Sequence, residues 1–494
     1  MGKEWTPQQA EIFAWLKRSE QKALLVSARA GTGKTSTIVE ALHHAPETRG
    51  GSVLLCAFNK RIQEELQARA PRGVEVKTLH SLGFTAVRNN WGRCRPDEKR
   101  GRAIAQELCG RFAPSAVINS VAKLASLGKL TLTTDQEGME RLADAFDQGP
   151  TESLEEDGWT IRRYAALALA AMDAAARQSD VIDFDDMLWV PAKRSLRPPQ
   201  FDLVVVDEAQ DLGAAQLALA RSALRPGGRI VVVGDPFQAI YSFMGADSRA
   251  MGRMRDELAA VELPLTVTFR CPREVVRVAQ HFVPDYEAAA SAPVGEVSWA
   301  AMKDLVGAVR PSDFVLSRTN AGAASACMAM LRAGVRAQVL GRDIGTGLKK
   351  LVDQLDNGGT LIAFLTRLRE WAYEERNKAE VLDRPQHAER VADQEETLGV
   401  LAEGLTTVAS LKARVDELFT DATGVGRVVC STVHKAKGLE SEVVWVMTAT
   451  FKRDGREEDN IRYVAATRAR SVLNLVVGAA GETDIGFEDA ARAP

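Results

Sequence analysis

Lys34 and Thr35 are the residues from which chemistry is read most directly. They close the small-residue loop Ala28-Arg29-Ala30-Gly31-Thr32-Gly33. A short apolar run from Leu24 leads into the loop, and Ile38, Val39, Ala41 and Leu42 follow it at helical spacing. Strand, small-residue loop and helix together form the setting of a phosphate-binding P-loop. Gly31 and Gly33 let backbone N–H groups turn toward an anion, and the helix N-terminus adds its positive dipole end. Lys34 is placed to reach the outer phosphates of a nucleotide, and Thr35 to hold Mg²⁺. The plain alternative is an ordinary Gly-rich turn. Lys-Thr at the helix start argues against it.

A second set of groups lies far along the chain. Phe201–Val206 reads as a central parallel strand and ends at Asp207-Glu208-Ala209-Gln210-Asp211. Carboxylates at the carboxyl end of such a strand lie where open α/β sheets bind ligands. Asp207 is placed to hold Mg²⁺ through water, and Glu208 to polarise an attacking water. Another buried strand, Ile230–Val233, ends at Gly234-Asp235-Pro236-Phe237-Gln238. The carboxylates of Asp183, Asp185 and Asp186 are explained more cheaply by helix capping than by a metal. The six cysteines (Cys56, Cys94, Cys109, Cys271, Cys327 and Cys430) contain no C-x-x-C pair. They read as free thiols of a reducing compartment.

Other elements must position these groups. Thr6-Pro7-Gln8-Gln9 opens a helix, with Thr6 as cap and Gln9 at the capping-box position. Val53–Ala57 and Val74–Thr78 read as strands, leading into Phe58-Asn59-Lys60 and Leu79-His80-Ser81. Arg88–Arg102 carries a local charge of +4, and Asp135–Asp157 one of −8. Both read first as solvated helix faces. Arg93, Arg95, Lys99, Arg100 and Arg102 are the candidates there for phosphate contact. Leu265–Arg270 reads as a strand opening a second unit, and Phe314–Ser317 as a further one. From about Ile344 to Val425 the pattern is helical, with Leu361, Phe364, Leu365, Leu368 and Trp371 at core spacing. Strands return at Val428–Cys430, Val443–Met447 and Val472–Val477.

With 494 residues, 46% hydrophobic and 26% charged, the chain is long enough for several domains with large cores. Its net charge of −3 leaves any nucleic-acid binding to a local patch. No apolar run reaches membrane-spanning length, and no targeting segment is visible.

The ordered motifs resemble the superfamily-one helicases of the UvrD/Rep type, with wording close to the F-box DNA helicase branch and compact phage and plasmid helicases. They run from Gln9 to Arg470. In that resemblance Gln9 lies near the adenine and Ala28–Thr35 is motif I. Phe58 and Asn59 belong to motif Ia and His80 to motif Ib, both lining single-stranded DNA. Asp207–Asp211 is the DEAQD motif II. In motif III, Gln238 senses the γ-phosphate and Phe243 stacks on a base, while Met244 stands where relatives usually carry Arg. Phe269 lies against the adenine and Arg270 on the γ-phosphate. His434–Glu440 is motif V, with His434 toward the DNA and Glu440 near the ribose. Arg468 of motif VI is a second arginine finger.

The resemblance implies an α/β fold with two RecA-like parallel-sheet domains of P-loop NTPase type, each with a mainly helical insertion. The first RecA-like domain is expected at 1–85 and 181–264, its insertion at 86–180. The second is expected at 265–343 and 426–494, its insertion at 344–425. ATP and Mg²⁺ are the implied cofactors, with ATP between the two domains. Single-stranded DNA and its junctions with duplex are the implied partners, 3′→5′ movement with unwinding the implied activity, and the cytoplasm the implied location. A rival reading is a DNA-activated ATPase subunit of a repair, recombination or defence complex, with little unwinding of its own. A small-molecule kinase does not explain the motifs after Gly234.

Overall fold

The computed structural model describes residues 4–18, 20–146, 148–150, 152–240, 250–381, 384–421, 426–452, 455–478 and 482–492. Phe243 and Met244 lie outside them. The chain divides into two compact units, one of Met1–Ala28 with Gly33–Leu265 and one of Arg29–Thr32 with Thr266–Pro494.

The first unit is built on six parallel strands: β1 (Ala23–Ala28), β2 (Val53–Ala57), β3 (Val74–Thr78), β4 (Phe201–Val206), β5 (Leu224–Gly234) and β6 (Val261–Leu265). Their order in the sheet is β3-β2-β4-β5-β1-β6. β1 and β2 are buried throughout, as expected for strands covered by helices on both faces. One apolar layer packs Ile12 and Leu16 of the helix Pro7–Arg18 and Ile38 and Leu42 of the helix Lys34–His44 against Leu24, Val26 and Leu55. The other face carries Leu54, Val204 and Val232 against Leu82, Leu188 and Leu219.

Between β3 and β4 the chain is mainly helical, with a separate core around Val121, Leu124, Tyr164, Ala168, Met172 and Trp189. Asp183 caps the helix Phe184–Lys193 in a reciprocal capping box with Asp186. The same two carboxylates meet Lys129 at 2.9 and 2.8 Å, and Asp186 also binds Arg100. Arg100 is 4% exposed, which removes it from the surface cations expected to meet phosphates. Arg93, Arg95, Lys99 and Arg102 remain exposed.

The second unit has a seven-stranded parallel sheet. Its strands are β7 (Glu296–Ala300), β8 (Phe314–Ser317), β9 (Ala337–Leu340), β10 (Phe419–Thr420), β11 (Val428–Thr432), β12 (Ser441–Met447) and β13 (Ala469–Val476). They lie in the order β7-β13-β12-β8-β11-β9-β10. Helices Arg342–Leu355, Leu361–Val381, Pro385–Ala402 and Val408–Leu418 lie between β9 and β10. Leu361, Phe364 and Leu368 enter the unit's core, and Leu365 and Trp371 pack on its edge.

The continuous strand expected over Leu265–Arg270 is not formed. Leu265 ends β6 in the first unit, and only Val267–Thr268 pairs beyond it, with Glu287–Ala288. All six cysteines are free thiols. No described helix is long and apolar enough to cross a membrane.

Candidate nucleotide-binding site

Because every strand of the first sheet runs the same way, β1 to β5 deliver their following residues to one edge. Ala28 ends β1, and the helix Lys34–His44 begins after Gly33. Gly31 and Gly33 adopt φ of 70° and 76°, the left-handed region that glycine enters without a Cβ penalty. Thr32 is 1% exposed and bonds back to the Arg29 carbonyl at 2.9 Å.

Thr35 Oγ1 lies 3.2 Å from Asp207 Oδ2. The two residues meet at the sheet edge from the ends of β1 and β4, with β5 between them, although 172 positions separate them. Burial first, then the Glu208 carboxylate, push Asp207 up to about 6, against the pull of Lys34. A buried carboxylate under that repulsion gains from a divalent cation, and a hydroxyl beside it completes an all-oxygen pair suited to Mg²⁺. Among the described residues no group of three or more His, Cys, Asp or Glu forms a cluster suited to a metal.

Glu208 follows Asp207 with φ 53° and ψ 42°, an uncommon conformation outside glycine. Gln238 is 6% exposed and donates to Asp235 Oδ2 at 2.6 Å. Gln9 is 3% exposed. Its Oε1 accepts from Thr6 N–H at 2.9 Å, and its amide donates to Thr37 Oγ1 at 2.8 Å. The capping role is therefore realised, and the same side chain braces the P-loop helix. That second bond left no signal in the sequence, because Thr37 carries no motif of its own.

Phe58, His80 and Asp207 line one small crevice at the sheet edge. Phe58 is 47% exposed, an apolar ring left facing solvent. Asn59 spends its side-chain oxygen capping the helix Lys60–Arg69 through Ile62 N–H at 2.9 Å. His80 stands edge-on to Phe184, 6.1 Å between ring centres. Burial lowers its pKa, with Asp185 opposing.

The remaining candidates belong to the second unit. Arg29 pairs with Asp285 at 2.6 Å. Ala30 donates its N–H to the Tyr463 hydroxyl at 2.7 Å, and its carbonyl accepts from Tyr286 at 2.9 Å. Arg270 pairs with Glu440 at 2.5 Å, and Glu440 also meets Arg470 at 3.4 Å. Glu440 thus has two guanidinium partners. Arg468 is 1% exposed and bonds the carbonyls of Val464 and Leu439 at 2.9 and 3.1 Å. Burial, then the neighbouring Arg270 charge, bring it down to about 10, still cationic at neutral pH. Two guanidiniums sharing one carboxylate favour an incoming anion. Phe269 is 53% exposed, and His434 is half-buried in the turn after β11.

A glycine-bent loop opening a helix, with a hydroxyl and an acidic pair at the carboxyl edge of a parallel sheet, defines a P-loop NTPase fold. Residues 5–259 match the UvrD/REP helicase N-terminal domain, and residues 427–476 match the UvrD-like helicase C-terminal domain. The chain belongs to the UvrD/Rep helicase family. It is similar to F-box DNA helicase 1 of Gallus gallus, 24% identical over 91% of this chain and 46% of that protein. It is 27% identical to ATP-dependent DNA helicase UvrD1 of Mycobacterium tuberculosis over 47% of this chain and 33% of the relative. With ATP-dependent DNA helicase Rep of Escherichia coli it shares 22% identity over 52% of this chain and 40% of the relative. The chain thus spans less than half the length of each.

Proposed function

We propose that the protein is an ATP-dependent DNA helicase or translocase that moves 3′→5′ on single-stranded DNA. The observation that carries this reading is the pairing of Thr35 with Asp207 at the P-loop, in a chain whose family is known for coupling that site to DNA. Loop N–H groups and Lys34 hold the phosphates. Thr35 and Asp207 hold Mg²⁺, which when bound neutralises phosphate charge. Glu208 accepts the proton of the attacking water, and Gln238 senses the γ-phosphate. Arg270 and Arg468 supply positive charge where it develops in the transition state. Gln9 and Phe269 serve the adenine and Glu440 the ribose. Phe58, Asn59, His80, Phe243 and His434 contact the strand, with aromatic side chains stacking on bases irrespective of sequence. The helical segments 86–180 and 344–425 are read as insertions into the two RecA-like domains.

A second reading is a DNA-activated ATPase subunit of a larger repair, recombination or defence complex. The short segment 344–425 favours it, since ten basic residues there face fifteen acidic ones, a poor surface for duplex phosphates. Paired duplexes with 3′ and 5′ single-stranded tails decide the matter. Unwinding restricted to the 3′-tailed substrate is the expected result. Equal or better activity on the 5′ tail overturns the polarity, and DNA-stimulated hydrolysis without displacement of either strand selects the second reading.

A further inference from the structure

Gln210 lies in the single turn Ala209–Asp211 that follows Glu208, and its side chain is fully buried. Both ends of its amide are used. Nε2 donates to Glu208 Oε2 at 2.6 Å and is 3.4 Å from Asp211 Oδ2. Oε1 accepts from the Asp235 N–H at 3.0 Å. Asp235, also fully buried, accepts in turn from Gln238 Nε2 at 2.6 Å and from Phe237 N–H at 3.0 Å. A continuous line of hydrogen bonds therefore runs from Glu208 through Gln210 and Asp235 to Gln238. Gly234 makes room for it. A Cβ there would sit 2.5 Å from Gln210 Oε1 and 2.9 Å from Gln210 N.

We propose that Gln210 is a positioning residue. With Glu208 as the base proposed above, its amide aims that carboxylate and ties it to the phosphate-sensing segment Asp235–Gln238. Glu208 stands in left-handed backbone, which persists only where surrounding bonds over-determine it. The 2.6 Å bond to Gln210 is one such restraint, and it acts on the oxygen-bearing end of the side chain. Glutamine fits the position because one amide donates to a carboxylate while accepting a backbone N–H. Glutamate would keep the acceptor and lose the donor; methionine would keep the length and lose both.

The test is steady-state hydrolysis of ATP by the full chain with single-stranded DNA, for Gln210→Met, Gln210→Glu, Glu208→Gln and the double variant Glu208→Gln/Gln210→Met. Fluorescent ADP binding and melting temperature are measured alongside. Misplacing a reacting group by about 1 Å costs on the order of 10²-fold. Gln210→Met should thus lower kcat ~10–100-fold while KM for ATP and ADP affinity stay within ~3-fold. Gln210→Glu should be as slow, since it too lacks the donor. In the Glu208→Gln background, Gln210→Met should add less than ~3-fold, because residues acting as a unit are non-additive. Wild-type turnover in Gln210→Glu, or a full additional loss in the double variant, overturns the role of Gln210. If Gln210→Met does not fold, Gln210→Glu and its combination with Glu208→Gln carry the same two comparisons. Near-wild-type hydrolysis by Glu208→Gln instead removes Glu208 as the base, a separate and distinguishable result.

Discussion

Lys129→Met should destabilise the first unit by an amount set by burial. Lys129 Nζ lies 2.9 Å from Asp183 Oδ2 and 2.8 Å from Asp186 Oδ1. The only other cation paired with these carboxylates among the described residues is Arg100, on Asp186. All four groups are at most 8% exposed. Methionine preserves length and removes the charge, so two buried carboxylates are left facing one guanidinium. Breaking a buried pair in this way costs about 3–5 kcal/mol. At ~2–4 °C per kcal/mol for a domain of roughly this size, the first thermal transition should fall by about 6–20 °C. The exposed pair Arg141–Glu137, with side chains 65% and 83% accessible, supplies the contrast. Arg141→Ala should cost ~0.3–0.5 kcal/mol, a shift of about 1–2 °C.

Acid adds a second reading of the same perturbation. Burial raises the Asp183 carboxyl, but Lys129 and the Asp186 N–H pull it back further, so on balance it sits below the usual range. Its contribution is full above the ordinary Asp value near ~4 and is lost as pH falls through the folded value. Lys129→Met removes that pull. The gap between variant and wild type should therefore hold from pH 7 down to about 4 and narrow as pH falls below that. Circular dichroism melts at several pH values measure both effects. A shift below ~2 °C at pH 7, or a gap that widens on acidification, refutes the reasoning.

Lys34→Ala should abolish DNA-stimulated ATP hydrolysis at an unchanged melting temperature, and turnover near wild type would remove the P-loop assignment. Glu208→Gln should slow hydrolysis about 10²–10⁴-fold with nucleotide affinity little altered; a loss of only a few-fold would mean that the residue merely begins a turn. Neutralising Arg95 and Lys99, which are exposed, should flatten the salt dependence of DNA binding by about one unit of slope each. An unchanged slope would leave that stretch a solvated surface.

The sheets were legible where burial is complete. Val53–Ala57 and Ile230–Val233 are covered on both faces, so apolar residues follow one another without a polar break. β6 was not legible, because Val261-Glu262-Leu263-Pro264-Leu265 is an edge strand with alternating exposure. There Glu262 faces outward, and Pro264 is tolerated where no neighbour needs its N–H. Within the basic run only Arg100 departed from the reading, for a different reason. Five cations in one stretch look alike until a carboxylate 86 positions away selects one to turn inward. At the site, Lys34, Thr35, Asp207 and Glu208 announce themselves through the chemistry of their side chains. Gln210 does not, since its two bonds depend on where Glu208 and Asp235 are placed.

The order of strands in the first sheet has a consequence for how the chain is made. β1 is made before the other five strands of this sheet, yet its two neighbours are β5 and β6, the last of the six. The roughly 200 residues between Ala28 and Leu224 take about 10–40 s to synthesise at ~5–20 residues per second. Throughout that interval Leu24, Leu25 and Val26 have no permanent partner strand. The helices between β3 and β4 can meanwhile close their own core around Leu124 and Tyr164 from contacts nearer in sequence, which form faster. A nascent chain arrested before Leu224 should therefore hold a folded helical body and an unpaired apolar N-terminal strand, the segment that a ribosome-associated chaperone would be expected to cover.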